Sequence, residues 1–143
     1  MVGLWVVLGT LALGSVSGIV LRARNGRIRA ARPASARHAL PGPVADVLDP
    51  SAGVTLVQIS TTFCVPCRQA KAVLSSLASG TDGLRHVELD VTEQPEVAQE
   101  LGILRTPTTV AFAADGRELL RVAGVPKGSD VLDALRPHLA PAL

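Results

Sequence analysis

The stretch Ser60-Thr61-Thr62-Phe63-Cys64-Val65-Pro66-Cys67-Arg68-Gln69-Ala70-Lys71 holds both cysteines of the 143-residue chain, and the residues around it decide how they are presented. Upstream, Val54-Thr55-Leu56-Val57-Gln58-Ile59-Ser60 is rich in β-branched residues and reads as a buried strand. Downstream, Ala70, Leu74 and Leu77 recur at helical spacing, which predicts a helix from about Pro66 to Ser79. The cysteine pair therefore sits where a strand turns into a helix. A thiol there meets unpaired backbone N–H groups and the positive end of the helix dipole, so its thiolate is favoured and its pKa should fall from about 8.5 toward neutrality. Cys64 is the expected nucleophile. Cys67, inside the first turn, is placed to attack a mixed disulfide formed at Cys64, release the partner and close an intramolecular bond. The residues alone thus point to dithiol-disulfide chemistry.

Two other uses of a Cys-X-X-Cys pair are weaker. A structural disulfide over so short a loop restricts the unfolded chain little. A zinc site needs further ligands, and the sequence offers only His38, His86 and His138, with no second cysteine pair. His86 in a strand and His138 near the chain end read as ordinary surface or edge residues. No metal and no cofactor are expected.

Ahead of this segment, residues 2–21 are uncharged and mostly apolar, and as a helix they would span about 30 Å, one hydrocarbon core. They read as a transmembrane helix rather than a cleaved signal peptide, because no basic residue precedes a run that is long for a signal sequence. Trp5 fits an interfacial anchor. Gly14 and Gly18 form a Gly-xxx-Gly pair, but with several glycines in the run this carries little weight for dimerisation. Arg22, Arg24, Arg27, Arg29, Arg32 and Arg37 follow with no acid among them, which predicts a single-pass protein with its C-terminal domain in the cytoplasm. The net charge of +2 hides this asymmetry: the rest of the chain sets eight basic groups against twelve acidic ones. A nucleic-acid partner is excluded, because the positive charge is confined to one stretch without aromatic interleaving. Residues 22–45, with Pro33, Pro41 and Pro43, read as a flexible linker whose root-mean-square reach would be about 27 Å. That leaves residues 46–143, about 100, for one domain with a modest core. With 2% aromatic residues, the core must be built from Val, Leu, Ile and Ala.

Within the domain, Val44 to Leu48 suggests a helical turn. Leu84 to Val91 alternates as a second strand after the Ser79-Gly80-Thr81-Asp82-Gly83 loop, giving a βαβ unit. A short helix from Pro95 to Leu101 is closed by Gly102. Thr108 to Ala113 forms a third strand, and Asp115-Gly116 signals a hairpin to Glu118–Val122. Ser129 is the candidate cap of a last helix carrying Val131, Leu132, Leu135 and Leu139.

This order of elements resembles the thioredoxin fold, and the local residues carry the resemblance over about residues 50–140. Phe63-Cys64-Val65-Pro66-Cys67 is similar to the family's Trp-Cys-Gly-Pro-Cys, Arg105-Thr106-Pro107-Thr108 to its cis-proline segment, and Gly124 to the glycine after its last strand. The resemblance implies an α/β fold with a central mixed sheet flanked by helices, a cis Thr106-Pro107 bond beside the sulfurs, and a Thr106 backbone that pairs with an extended substrate. It implies thiol-disulfide oxidoreductase activity, with protein disulfides or dithiols as substrates and an upstream thiol electron donor. Phe63, Val65, Pro66, Thr106, Pro107 and Val125 are the expected substrate-binding rim. Three departures stand out: Gln58 replaces the buried Asp that helps take the proton from the second cysteine, Glu88 aligns with a Lys, and Phe63 replaces the Trp. Gln58 cannot act as a base near neutrality, so it is the expected redox-tuning position, and Cys67 should lose its proton through water, more slowly. Alternation with Val87 and Leu89 predicts that Glu88 points outward. Arg68 and Lys71 read as solvated helix residues. Two rival functions stay open: the same domain outside the cytoplasm, as an oxidant or a reductant for cytochrome maturation, and a binding module with an idle redox pair.

Overall fold

The computed structural model describes residues 2–31 and 40–139. Arg32, Pro33, Arg37 and His38 lie outside them. The first element is α1, Val2–Arg24, which has no buried residue. It is uncharged and mostly apolar up to Leu21 and long enough, at 23 residues, to cross a membrane. Arg22 and Arg24 stand in its last turn, where cations complement the exposed carbonyls.

Among the described residues, five strands form one sheet in the order β1-β5-β4-β2-β3: β1 is Ile28–Ala30, β2 Val54–Ser60, β3 Leu84–Asp90, β4 Thr108–Ala113 and β5 Glu118–Ala123. β2 and β3 run parallel and the other pairs antiparallel, so the sheet is mixed. All seven residues of β2 are buried, as a strand covered on both faces must be. Its side chains alternate between two apolar layers. Val57 and Ile59 join Val110, Phe112 and Ile103 under α2 (Gly42–Val47) and α4 (Pro95–Glu100). Val54 and Leu56 join Ala111, Leu120 and Val122 under α3 (Val65–Ser79) and α5 (Gly128–Leu135). α3 adds Leu74 to that second layer, and α5 adds Val131 and Leu135.

Three expectations need correction. The linker reading fails at its start: β1 lies inside residues 22–45 and pairs with the edge of β5, Ile28 opposite Val122 and Ala30 opposite Leu120. The Arg-rich composition hid a strand too short to show periodicity, yet backbone pairing to a free edge needs only main-chain donors and acceptors. The 27 Å flexible reach therefore does not describe the join between α1 and the domain. Ser129 does not cap α5; Lys127 is at the N-cap without a side-chain bond, and Ser129 Oγ lies 3.2 Å from Asp130 Oδ1 in the first turn. α5 stops at Leu135 and continues as a 3-10 turn over Arg136–His138, because Pro137 offers no N–H to an α-helical ladder.

Candidate functional site

β2 ends at Ser60, and four residues later the chain enters α3. Phe63 makes the turn with φ of 64°, a left-handed conformation uncommon for a non-glycine residue, and its side chain is 95% exposed. Cys64 occupies the N-cap of α3, where its Sγ accepts the N–H of Cys67 at 3.2 Å. Val65 and Pro66 open the helix at positions whose N–H groups have no intrahelical partner, so the missing donor of Pro66 costs nothing. Cys67 faces inward and is 2% exposed, while Cys64 is half-buried. The two are joined in a disulfide, with Cα atoms 5.2 Å apart. The two sulfurs thus differ in access: Cys64 is open to solvent in part, and Cys67 is covered.

The loop before β4 closes the site from the other side. The Thr106-Pro107 peptide is cis, and Thr106 Oγ1 lies 3.9 Å from Cys64 Sγ and 3.3 Å from Thr61 Oγ1. Pro107 is buried, and its carbonyl accepts the N–H of Gly124 at 2.7 Å. Gly124 has φ of 90°, and Val125 follows it half-buried. Val65 and Pro66 are exposed on the helix start. Of the six expected rim residues, Phe63, Val65 and Pro66 adjoin the cysteines in the chain, Thr106 reaches Cys64 with its hydroxyl, and Pro107 and Val125 belong to two segments joined by the Gly124–Pro107 bond.

Beneath Cys67 lies a polar chain that the sequence reading only partly anticipated. Gln58 is 0% exposed; its Nε2 donates to the Cys67 carbonyl at 2.8 Å, and its Oε1 faces His86 Nε2 at 3.1 Å. The far ring nitrogen of His86, Nδ1, pairs with Ser75 Oγ on α3 at 3.0 Å. Since a carbonyl only accepts, the amide must turn its nitrogen toward Cys67, and His86 must then donate through Nε2. Burial holds His86 below its ordinary value, against the opposing pull of the Glu88 carboxylate. His86 is therefore no ordinary surface residue. It shares the α3-facing side of β3 with Glu88, two residues on; Glu88 stands opposite Gln58 in the ladder and His86 one step diagonal to it.

Glu88 also departs from expectation. It does not simply point outward: Ser60 Oγ donates to it at 3.0 Å and Lys71 Nζ pairs with it at 2.7 Å, so it lies along the rim of α3. Leu89 packs into the opposite layer. Alternation was read correctly, but that side of the sheet is covered by α3 rather than by water. Opposite Gln58 on β4, Thr109 Oγ1 is buried and makes no hydrogen bond among the described residues.

A family model described as Thioredoxin matches residues 44–136. The chain belongs to the thioredoxin family. It is 33% identical over 88 residues to thioredoxin of Staphylococcus saprophyticus, covering 61% of this chain and 84% of that one. With thioredoxin of Staphylococcus haemolyticus it shares 34% over the same length and the same shares of each chain. Among solved structures, a point-mutant thioredoxin from Halobacterium salinarum superposes with a TM-score of 0.60 at 25% identity, over 69% of this chain and 86% of that one. Family membership and the Cys-X-X-Cys pair at the start of α3 make this thioredoxin-family protein a thiol-disulfide oxidoreductase.

Proposed function

We propose that the protein is a membrane-tethered reductant of protein disulfides, with α1 as the tether and the thioredoxin domain, over residues 46–143 with β1 added, on the cytoplasmic side. The observation that carries the chemistry is the Cys67 N–H aimed at Cys64 Sγ at the N-terminus of α3, which supports negative charge on an accessible sulfur. The reduced Cys64 thiolate attacks one sulfur of a substrate disulfide. That bond breaks, the departing sulfur leaves as a thiolate and takes up a proton, and a mixed disulfide forms at Cys64. Cys67 gives its proton to water and attacks Cys64 Sγ, closing the Cys64–Cys67 bond and releasing the second substrate thiol. Two electrons pass to the substrate, and an upstream dithiol donor restores the pair by the reverse exchange.

Thr106 offers its backbone to an extended substrate segment beside Cys64, with Pro107 behind it. Phe63, Val65, Pro66 and Val125 form the apolar rim. Gln58 tunes the site by supplying a neutral hydrogen bond to Cys67 where a carboxylate would supply a base. The Arg residues after α1 support the cytoplasmic side.

Trapping tests the whole reading. In membranes carrying Cys67→Ser, the stalled mixed disulfide should retain protein partners at Cys64 that release with dithiothreitol, and Cys64→Ser should retain none. Equal yields from the two variants would remove the proposed exchange. A reporter active only in the cytosol, fused after Leu143, should be active; a silent fusion would place the domain on the other side.

A further inference from the structure

The join between α1 and the domain is short and made of contacts. Asn25 continues the helix, its N–H lying 3.2 Å from the Leu21 carbonyl, and Gly26 then turns the chain with φ of 75°. The N–H of Gly26 donates to the Ala123 carbonyl at 2.8 Å, and a Cβ on Gly26 would come within 2.5 Å of the Val125 carbonyl oxygen. The Asn25 side chain rests on Gly124, in the space a Cβ would fill. Gly124 in turn donates to the Pro107 carbonyl, and the neighbouring Thr106 faces Cys64. Arg105 Nη2 donates to the same Ala123 carbonyl at 3.2 Å. The residues that leave α1, Asn25 and Gly26, are therefore seated on Ala123–Val125, which is itself bonded to the cis-proline loop beside Cys64.

Leu21 ends the apolar run of α1, and Asn25 is four residues beyond it, about 6 Å along a helix axis. The headgroup layer on each side of a hydrocarbon core is about 5–8 Å thick. With α1 across a bilayer, which is the reading proposed above and on which this inference rests, Asn25 and Gly124 lie at headgroup level. Arg22, Arg24, Arg27 and Arg29 occupy the same level, where anionic lipids attract them. Two exposed apolar side chains, Phe63 at 95% beside Cys64 in the chain and Leu104 at 99% two residues before Thr106, suit a polypeptide just leaving the bilayer.

We propose that β1 is a rigid coupler that holds the Cys64–Cys67 site at the membrane surface, and that its substrate is a disulfide in the juxtamembrane segment of another membrane protein. Such a disulfide lies within on the order of 15 Å of the hydrocarbon edge. Disulfides carried far from the bilayer are reached poorly, because the site cannot swing out on a flexible tether.

The test uses the full chain in vesicles of phosphatidylcholine and phosphatidylglycerol, with two single-span peptide probes. One carries an intramolecular disulfide directly after its span; the other carries it beyond a rigid helical spacer of about 30 Å. The near disulfide should be reduced at least about 10-fold faster, since confinement to one layer raises its effective concentration at the site. A Gly/Ser segment inserted between Arg24 and Asn25 leaves β1 paired and should bring the two rates together, with reduction of dithiobis-nitrobenzoate unchanged. Equal rates on the two probes with the unaltered chain, or a preference that survives the insertion, would overturn the inference. Co-flotation with the vesicles separates the two claims: a chain that floats and shows no preference defeats the coupler alone, whereas a chain that does not float defeats the membrane reading as well.

Discussion

Gln58 is fully buried, yet its amide is matched at both ends, with Cys67 accepting and His86 donating. Replacing it by Asp puts a base beneath the second cysteine and takes away the donor to its carbonyl. Gln58→Asp should therefore speed release of a partner from Cys64 in single-turnover experiments, while lowering stability by about 1–3 kcal/mol in urea titrations. Unchanged release would show that position 58 does not govern the resolving step. His86 gives a pH signature. Burial keeps its folded value below the ordinary 6.5, so the unfolded chain binds a proton that the folded chain refuses. Stability should fall as pH drops below about 6.5, and His86→Gln should flatten that part of the profile relative to the unaltered protein. At Thr109 the hydroxyl is buried without a partner, so Thr109→Val should raise the urea midpoint by the equivalent of about 1 kcal/mol. The place of Cys64 and Cys67 at the start of α3 was legible in the sequence because spacing and flanking pattern suffice to set it. His86 was not, because a lone histidine in a strand shows its partner only once the register of β2 against β3, which sets His86 opposite Leu56, brings it diagonally to Gln58.

At the level of elements, the strands and helices of the domain were legible wherever hydrophobic periodicity ran for six residues or more, as in β2, α3 and the β4–β5 hairpin. β1 was not, since three residues bearing an Arg carry no periodic signal and gain their place from the open edge of β5. Its energetic weight is testable. A fragment beginning at Leu40 keeps α2 but loses the β1–β5 ladder and the packing of Ile28, and should be less stable by about 2 kcal/mol than one beginning at Asn25. Thermal melts of the two fragments that coincide would mean that β1 merely lies against the sheet. The shorter fragment should also self-associate more readily, because β5 becomes an uncovered edge.

For the whole molecule, an apolar helix, a three-residue strand and a thioredoxin domain are arranged so that the helix end and the redox site share one set of contacts at Gly124. The domain supplies the exchange chemistry, and in the function proposed above the helix sets where it is exercised. The central claim is that electrons leave through Cys64. It is tested most directly by following insulin reduction in dithiothreitol with the full chain in detergent, beside Cys64→Ser. The unaltered protein should accelerate precipitation of the insulin B chain, and Cys64→Ser should fall to the rate of dithiothreitol alone; equal acceleration by both would contradict the account.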